Sequence, residues 1–231
     1  LIEAHDAAVK VALDQIEARV LETRIWDSAS KTQIKERNLQ MIAGMFRHEV
    51  NRNQDPQLHT HAVITNMVQP ADGKWRSVEG SSLFHHKMEM GALYRAELAM
   101  NVRELGYEVE RTHIDGRFDI KGVPKSIMAA FSTRSTEIRE ALSGYDYQNP
   151  KTADTATLMT RDHKVVVDRD LLHKGWQQRG ERLGLNAQIP APPTVDAGKV
   201  EDFYFINSFG IGMDAKVAEY ASKAKILNGL P

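Results

Sequence analysis

The stretch FRHEVNRNQDPQLHTHAVITNM, residues 46–67, decides the fold. Its first part closes the apolar run LQMIAGMFRHEV, which reads as a short buried strand. Its last part opens a second strand, LHTHAVITNMVQ. The polar segment NRNQDPQ between them is a connection, punctuated by Pro56. Side chains at i and i+2 of a strand point to one face. His59 and His61 therefore project together, while Leu58, Thr60 and Ala62 face the other way. His48 ends the preceding strand, and the ten residues between it and His59 suffice to turn the chain back. An antiparallel return brings all three imidazoles to one end of the ribbon. Such a cluster suits a metal and leaves coordination positions open, as a catalytic site requires. The spacing alone is equally compatible with histidines on an ordinary exposed strand. His85 and His86, adjacent on a helix, point apart and are set aside. A cupin would carry a carboxylate shortly after its His-x-His pair, and Ala62 to Asn66 offer none.

Outward from this ribbon, hydrophobic spacing marks an amphipathic helix over EAHDAAVKVALDQIEARVLETR, with SASKTQIKERN as a polar loop after it. Asp72-Gly73 signals a turn, after which WRSVE is expected to return as a third antiparallel strand. SLFHHKMEMGALYRAELAMNVRELG is a long helix ended by Gly106. YEVERTHIDGRFDIKG is a hairpin around Asp115-Gly116. PKSIMAAFSTRSTEIREAL is one helix, or two broken near Ser132. SGYDYQNPKT is a linker, and DTATLMTRDHK and VDRDLLHKGWQQRGERLG are two further helices. Strands clustered in hairpins, with a long helix between them, indicate an α+β fold with an antiparallel sheet flanked by helices. A doubly wound parallel sheet would need regular crossovers.

The chain has 231 residues, 30 basic against 31 acidic, and no cysteine. It can bury one good core, or one core and an appendage. The balanced charge gives no global signature of nucleic-acid binding, so any such surface is local. Disulfides and thiolate metal sites are excluded. No apolar run approaches a membrane span of roughly 20 residues. The chain opens at Leu1 in what reads as mid-helix, which suggests a piece of a longer protein.

The 46–67 stretch resembles the three-histidine motif of the conjugative relaxases of the TrwC/TraI type, within the wider class of histidine-hydrophobe-histidine endonucleases. AHDAAVKVALDQIEA, DGKWRSVEG, YRAELAMNVRELGYEVE, GVPKSIMAAFSTRSTEIREAL and VDRDLLHKGWQQRGERLG follow in that family's order, so the resemblance covers about residues 1–190. It implies a relaxase-like fold, incomplete at the N-terminus, and a divalent metal ion (Mg, Mn or Zn) on His48, His59 and His61. It implies metal-dependent nicking of one DNA strand and strand transfer at a plasmid transfer origin. There a tyrosine attacks the scissile phosphate and stays joined to the 5′ end. The implied partners are single-stranded DNA with an adjoining hairpin and accessory conjugation proteins, in the bacterial cytoplasm. The family's tyrosines and its histidine-orienting aspartate lie upstream of the point where this chain opens. No nucleophile is therefore assigned, and Tyr94 is expected to pack within its helix. A non-catalytic metal- and DNA-binding remnant and a rolling-circle replication initiator are the alternatives.

Single strands are held by basic grooves and stacking aromatics. The candidates are Arg47 and Arg52 beside His48, Lys74, Trp75 and Arg76 after the turn, and Arg134. Any one charge reads more readily as solvated surface, and Trp75 as a core or edge-strand aromatic, but the group together reads as a DNA contact. Asp55 is a candidate second acceptor for a histidine ring, or a cap of its loop. Residues 191–231 read as a separate piece, a Pro-rich linker and an unrelated tail expected to touch the rest little. From about residue 193 the tail resembles a short piece of the diacylglycerol kinase-like lipid kinases, through Asn207, Gly210, Gly212 and Asp214. The piece is too short to hold a nucleotide-binding domain.

Overall fold

Alanines, rather than the larger apolar residues, define the buried face of the first helix. The computed structural model describes residues 1–37, 39–144, 150–161, 163, 165 and 167–185. In it, α1 (Ile2–Gln15) buries Ala4, Ala8 and Ala12, one side chain per turn. They face Tyr94, Leu98 and Val102, spaced in the same way on the long helix α2 (Gly80–Glu104). Small side chains on one partner let the two axes lie close. Each large side chain buried here contributes about 1.5–3 kcal/mol. Leu58 and Phe118 close this core. The end of α1 widens into a π-helical turn, Ile16–Val20, and stops there.

The polar loop expected after α1 is a hairpin instead. β1 (Thr23–Asp27) pairs antiparallel with β2 (Thr32–Glu36). Asp27 accepts from the backbone N–H groups of Ala29 and Ser30 at 3.1 and 3.2 Å, which builds the turn, and Lys31 takes a positive φ of 56°. Both strands are largely exposed, so no apolar face advertises them. Glu22, buried just before β1, accepts from Lys35 and Arg37 and ties the hairpin to its root.

The central ribbon is β3 (Ala43–Val50) against β4 (Pro56–Ile64). β3 is more exposed than its apolar composition predicts, with Met45 and Phe46 open to solvent. The expected third strand is reduced to two isolated bridges, Val68 with Arg76 and Thr23 with Val78. β5 (Val109–Arg111) and β6 (Phe118–Ile120) form the expected hairpin, turning at Gly116 with φ 87°. The described strands thus make three two-stranded antiparallel sheets, in an α+β fold.

The expected helix break falls at Phe131-Ser132, between α3 (Lys125–Ala130) and α4 (Thr133–Ser143). α5 (Pro150–Met159) begins inside the segment read as linker, with proline at its first position, where a missing N–H costs nothing. Asp168 caps α6 (Arg169–Arg182), accepting from the N–H groups of Asp170 and Leu171. A second core gathers Ile127, Phe131, Trp176 and Leu185, and Val50 and Leu172 pack against it. The tail and its glycines, with Tyr145 and Tyr147, lie outside the described residues. Among the described residues no helix is long and apolar enough to cross a membrane.

Candidate metal centre

The register of the ribbon assembles the site. His48 is the direct partner of His59, and Phe46 is the partner of His61. Alternation then puts His48, His59 and His61 on one face, and Leu58, Thr60 and Arg47 on the other. The second face is the buried one, since Leu58 enters the core and Thr60 Oγ1 lies 2.8 Å from Nε2 of His5. The three imidazoles stand on the opposite, accessible face. Their ring centroids form a near-equilateral triangle of 5.3, 4.9 and 5.0 Å, with planes inclined at 81°, 71° and 80°.

One ring nitrogen from each histidine lies within 4.8 Å of the other two. Ligands at roughly 2 Å from a common ion stand at most about 4 Å apart. Small ring rotations close that gap. Nδ1 of His59 meets the backbone carbonyl of Gln57 at 2.9 Å. A carbonyl only accepts, so Nδ1 carries the proton and Nε2 keeps its lone pair for a ligand. Burial holds the His59 imidazole below its ordinary pKa, against the opposing pull of the Gln57 carbonyl, and the neighbouring His61 adds to the depression. A neutral ring is the ligand form. The donor set of three imidazoles fits a divalent cation of the borderline class.

The remaining candidates disperse. Arg47 lies on the buried-side face and pairs with Asp6 at 2.5 Å. Arg52 sits half-buried in the β3–β4 connection. Lys74 and Trp75 are exposed after the Asp72-Gly73 turn, Trp75 to 58%, while Arg76 is clasped by Asp72 at 2.5 and 2.6 Å. Arg134 is not a free surface cation. Its guanidinium donates to the carbonyls of Thr160 and Thr157, at 2.6 and 2.8 Å, and so caps the C-terminal end of α5. Asp55 does not reach the histidines. Its buried carboxylate accepts from the N–H and hydroxyl of Thr133 at 2.8 and 2.5 Å, from Asn51 at 3.3 Å, and faces Arg179 at 3.6 Å. The carboxylate thus caps the start of α4, 78 positions along the chain, and not only its own loop. The acceptor that orients His59 is the Gln57 carbonyl, a backbone group with no signature in the residue type.

A buried polar chain beneath the site also escaped sequence reasoning. Tyr94, 2% exposed, places its hydroxyl 2.7 Å from Nδ1 of His5. Burial pushes its pKa well above the ordinary tyrosine value. The Tyr94 hydroxyl is a buried partner of His5, and the ring packs in the core as expected of it. Tyr107 packs beside the α1–α2 core. The signal for His5 was its place between Ala4 and Ala8 on the buried stripe.

Three convergent imidazoles on an antiparallel ribbon, backed by helices, define a histidine-cluster protein of α+β architecture. Comparison with known proteins gives the family. Residues 1–183 match the TrwC relaxase family model, and the chain belongs to that family. It is 32% identical to a multifunctional conjugation protein TraI of Escherichia coli, over 87% of this chain and 12% of that protein. It resembles the structure of TrwC complexed with a 27-mer DNA comprising the recognition hairpin and the cleavage site. There the TM-score is 0.74 at 36% identity, covering 79% of this chain and 65% of that one. A metal-bound TrwC structure with OriT DNA matches equally, at 0.74 and 36%, over 79% of this chain and 64% of that one. The chain thus spans about an eighth of the curated relative and just under two thirds of the solved chains.

Proposed function

We infer that residues 1–183 form the metal-binding and DNA-gripping part of a conjugative relaxase, which nicks one strand at a plasmid transfer origin and transfers it. The observation that carries this reading is the convergence of His48, His59 and His61 on the accessible face of one ribbon, in a chain of the TrwC relaxase family. Those three side chains would hold a divalent cation, and of Mg, Mn and Zn the donor set suits Zn best. Such an ion, when bound, draws charge from the non-bridging oxygens of a phosphate and orients it for in-line attack.

This chain's own residues then have separable tasks. Nδ1 of His59 keeps its proton on Gln57, so the ring presents one fixed nitrogen. Arg52, Lys74 and Trp75 supply cationic and stacking contacts to a single strand. Neither Tyr94 nor Tyr107 attacks the phosphate. The proposed substrate is single-stranded DNA beside a hairpin, supported by the TrwC complex whose 27-mer comprises the recognition hairpin and the cleavage site, with accessory conjugation proteins as partners in the bacterial cytoplasm.

An anisotropy titration tests the reading with a labelled oligonucleotide carrying a hairpin and a single-stranded extension. The expected result is preference for that form over a plain duplex of the same composition, with affinity falling steeply as salt rises. Equal affinity for the two would contradict it.

A further inference from the structure

Glu49 stands where the ribbon's register breaks. His48 pairs with His59 and Val50 with Pro56, so one residue of β3, Glu49, opposes two of β4, Gln57 and Leu58. A bulge of this kind takes a backbone group out of the ladder and re-aims the side chains beside it. Gln57, one of the two bulged residues, carries the carbonyl that accepts from Nδ1 of His59. The bulge thus lies next to His48 and contains the residue whose carbonyl meets Nδ1 of His59.

The bulge is gripped from outside the ribbon. The Glu49 carboxylate, 14% exposed, accepts from Arg169 at 2.6 Å, and Nε2 of His173 lies 3.5 Å from it without hydrogen-bonding to it. Trp176 stacks on His173 with centroids 5.1 Å apart, and donates its indole N–H to the carbonyl of Gln54 at 2.8 Å. Residues 169, 173 and 176 follow at helical spacing, so one stripe of α6 is applied to the ribbon end next to His48. Val50 and Leu172 pack on the cluster around Trp176 and close the contact with apolar surface. With Arg169 largely exposed, the ion pair adds little net stability and acts as a geometric constraint on the shielded Glu49.

We propose that α6 is a positioning element for the histidine centre, with the Arg169–Glu49 and Trp176–Gln54 contacts fixing the bulge that aims His48 and His59. The metal readout of this inference rests on the reading of the histidines as a metal centre; its tautomer readout does not.

The test uses the full chain and the variants Glu49→Gln, Arg169→Ala and Arg169→Lys. Arg169 is largely exposed, so its replacement leaves the core intact if Glu49→Gln proves hard to fold. Affinity for Co(II) and Mn(II) is measured by calorimetry, the Co(II) spectrum reports ligand geometry, and ¹⁵N imidazole spectra of the metal-free protein report the His59 tautomer. Glu49→Gln and Arg169→Ala are expected to weaken metal binding by roughly tenfold, as loss of supporting contacts at metal sites does. They also alter the Co(II) spectrum and lower the Nδ1–H share of His59. Arg169→Lys restores most of each. Lys121→Ala, which removes a surface pair with Glu108, moves none of them. Wild-type affinity, spectrum and tautomer in Glu49→Gln would overturn the proposal. If the unmutated chain takes up neither ion, the metal-centre reading fails, and the tautomer alone decides the positioning role.

Discussion

His48 and His59 are register partners across the β3–β4 ribbon, with rings 5.3 Å apart and nearly perpendicular. Their backbones are fixed by the ladder, and only ring rotations remain to be frozen when a ligand is bound. Preorganisation of this kind lowers the cost of assembling a site. On the reverse face of the same strand, Thr60 is held by His5, which Tyr94 holds in turn.

That chain gives the protein a pH-dependent stability. Burial pushes the His5 imidazole down to about 4 from an ordinary 6.5. Between those values the unfolded chain binds the proton and the folded one does not, so stability is full above the unfolded pKa and is lost as pH falls. The single group predicts a loss of about 2 kcal/mol between pH 7 and pH 5. Urea unfolding at the two pH values should show it, and His5→Gln should remove most of the difference. An unchanged slope in that variant would show that other groups carry it.

Tyr94→Phe strips the partner from His5 Nδ1 in a buried site. An unsatisfied buried polar group costs about 1–3 kcal/mol, and thermal unfolding should shift accordingly. Metal affinity should stay within about twofold of the unmodified chain, because the hydroxyl serves the core and not the reaction.

Asp55→Ala separates a capping role from a role at the histidines. Its carboxylate receives the first N–H of α4 and the Thr133 hydroxyl. Loss of such a cap costs about 0.5–2 kcal/mol. Stability should fall by that amount with metal affinity unchanged; a tenfold loss of metal affinity without a loss of stability would restore Asp55 to the site.

How much of this was legible follows from where the information sits. The histidine ribbon was readable because its pattern is local: an i, i+2 pair, a short connection and a third histidine at the strand end. Gly106 and Gly116 marked their turns for the same reason, each needing positive φ. The β1–β2 hairpin was missed because both strands present polar residues to solvent and Asp27 to Ser30 resembles any loop. The WRSVE segment had strand composition but found only two bridging partners. Glu49 with Arg169, 120 positions apart, and the Gln57 carbonyl have no local signature at all.

For DNA, Trp75→Ala should weaken binding of the hairpin-tailed single strand by about 1–3 kcal/mol, the value of one stacked base. Lys74→Ala should lower the slope of log affinity against log salt by about 0.7, one phosphate contact on a single strand. Arg76 is committed to Asp72 and should contribute less than Lys74. Anisotropy at graded salt reads all three, and equal losses for Trp75→Ala and Arg76→Ala would show that the clasp opens on binding.

The most direct measurement of the central claim is calorimetric titration of the metal-free chain with Mn(II), Zn(II) and Co(II), repeated on His48→Ala, His59→Ala and His61→Ala. The account predicts one ion per chain, and a large loss of affinity in each single variant, because two imidazoles no longer enclose the ion. Binding that survives in any of the three variants at the strength of the unmodified chain would contradict a centre built on His48, His59 and His61.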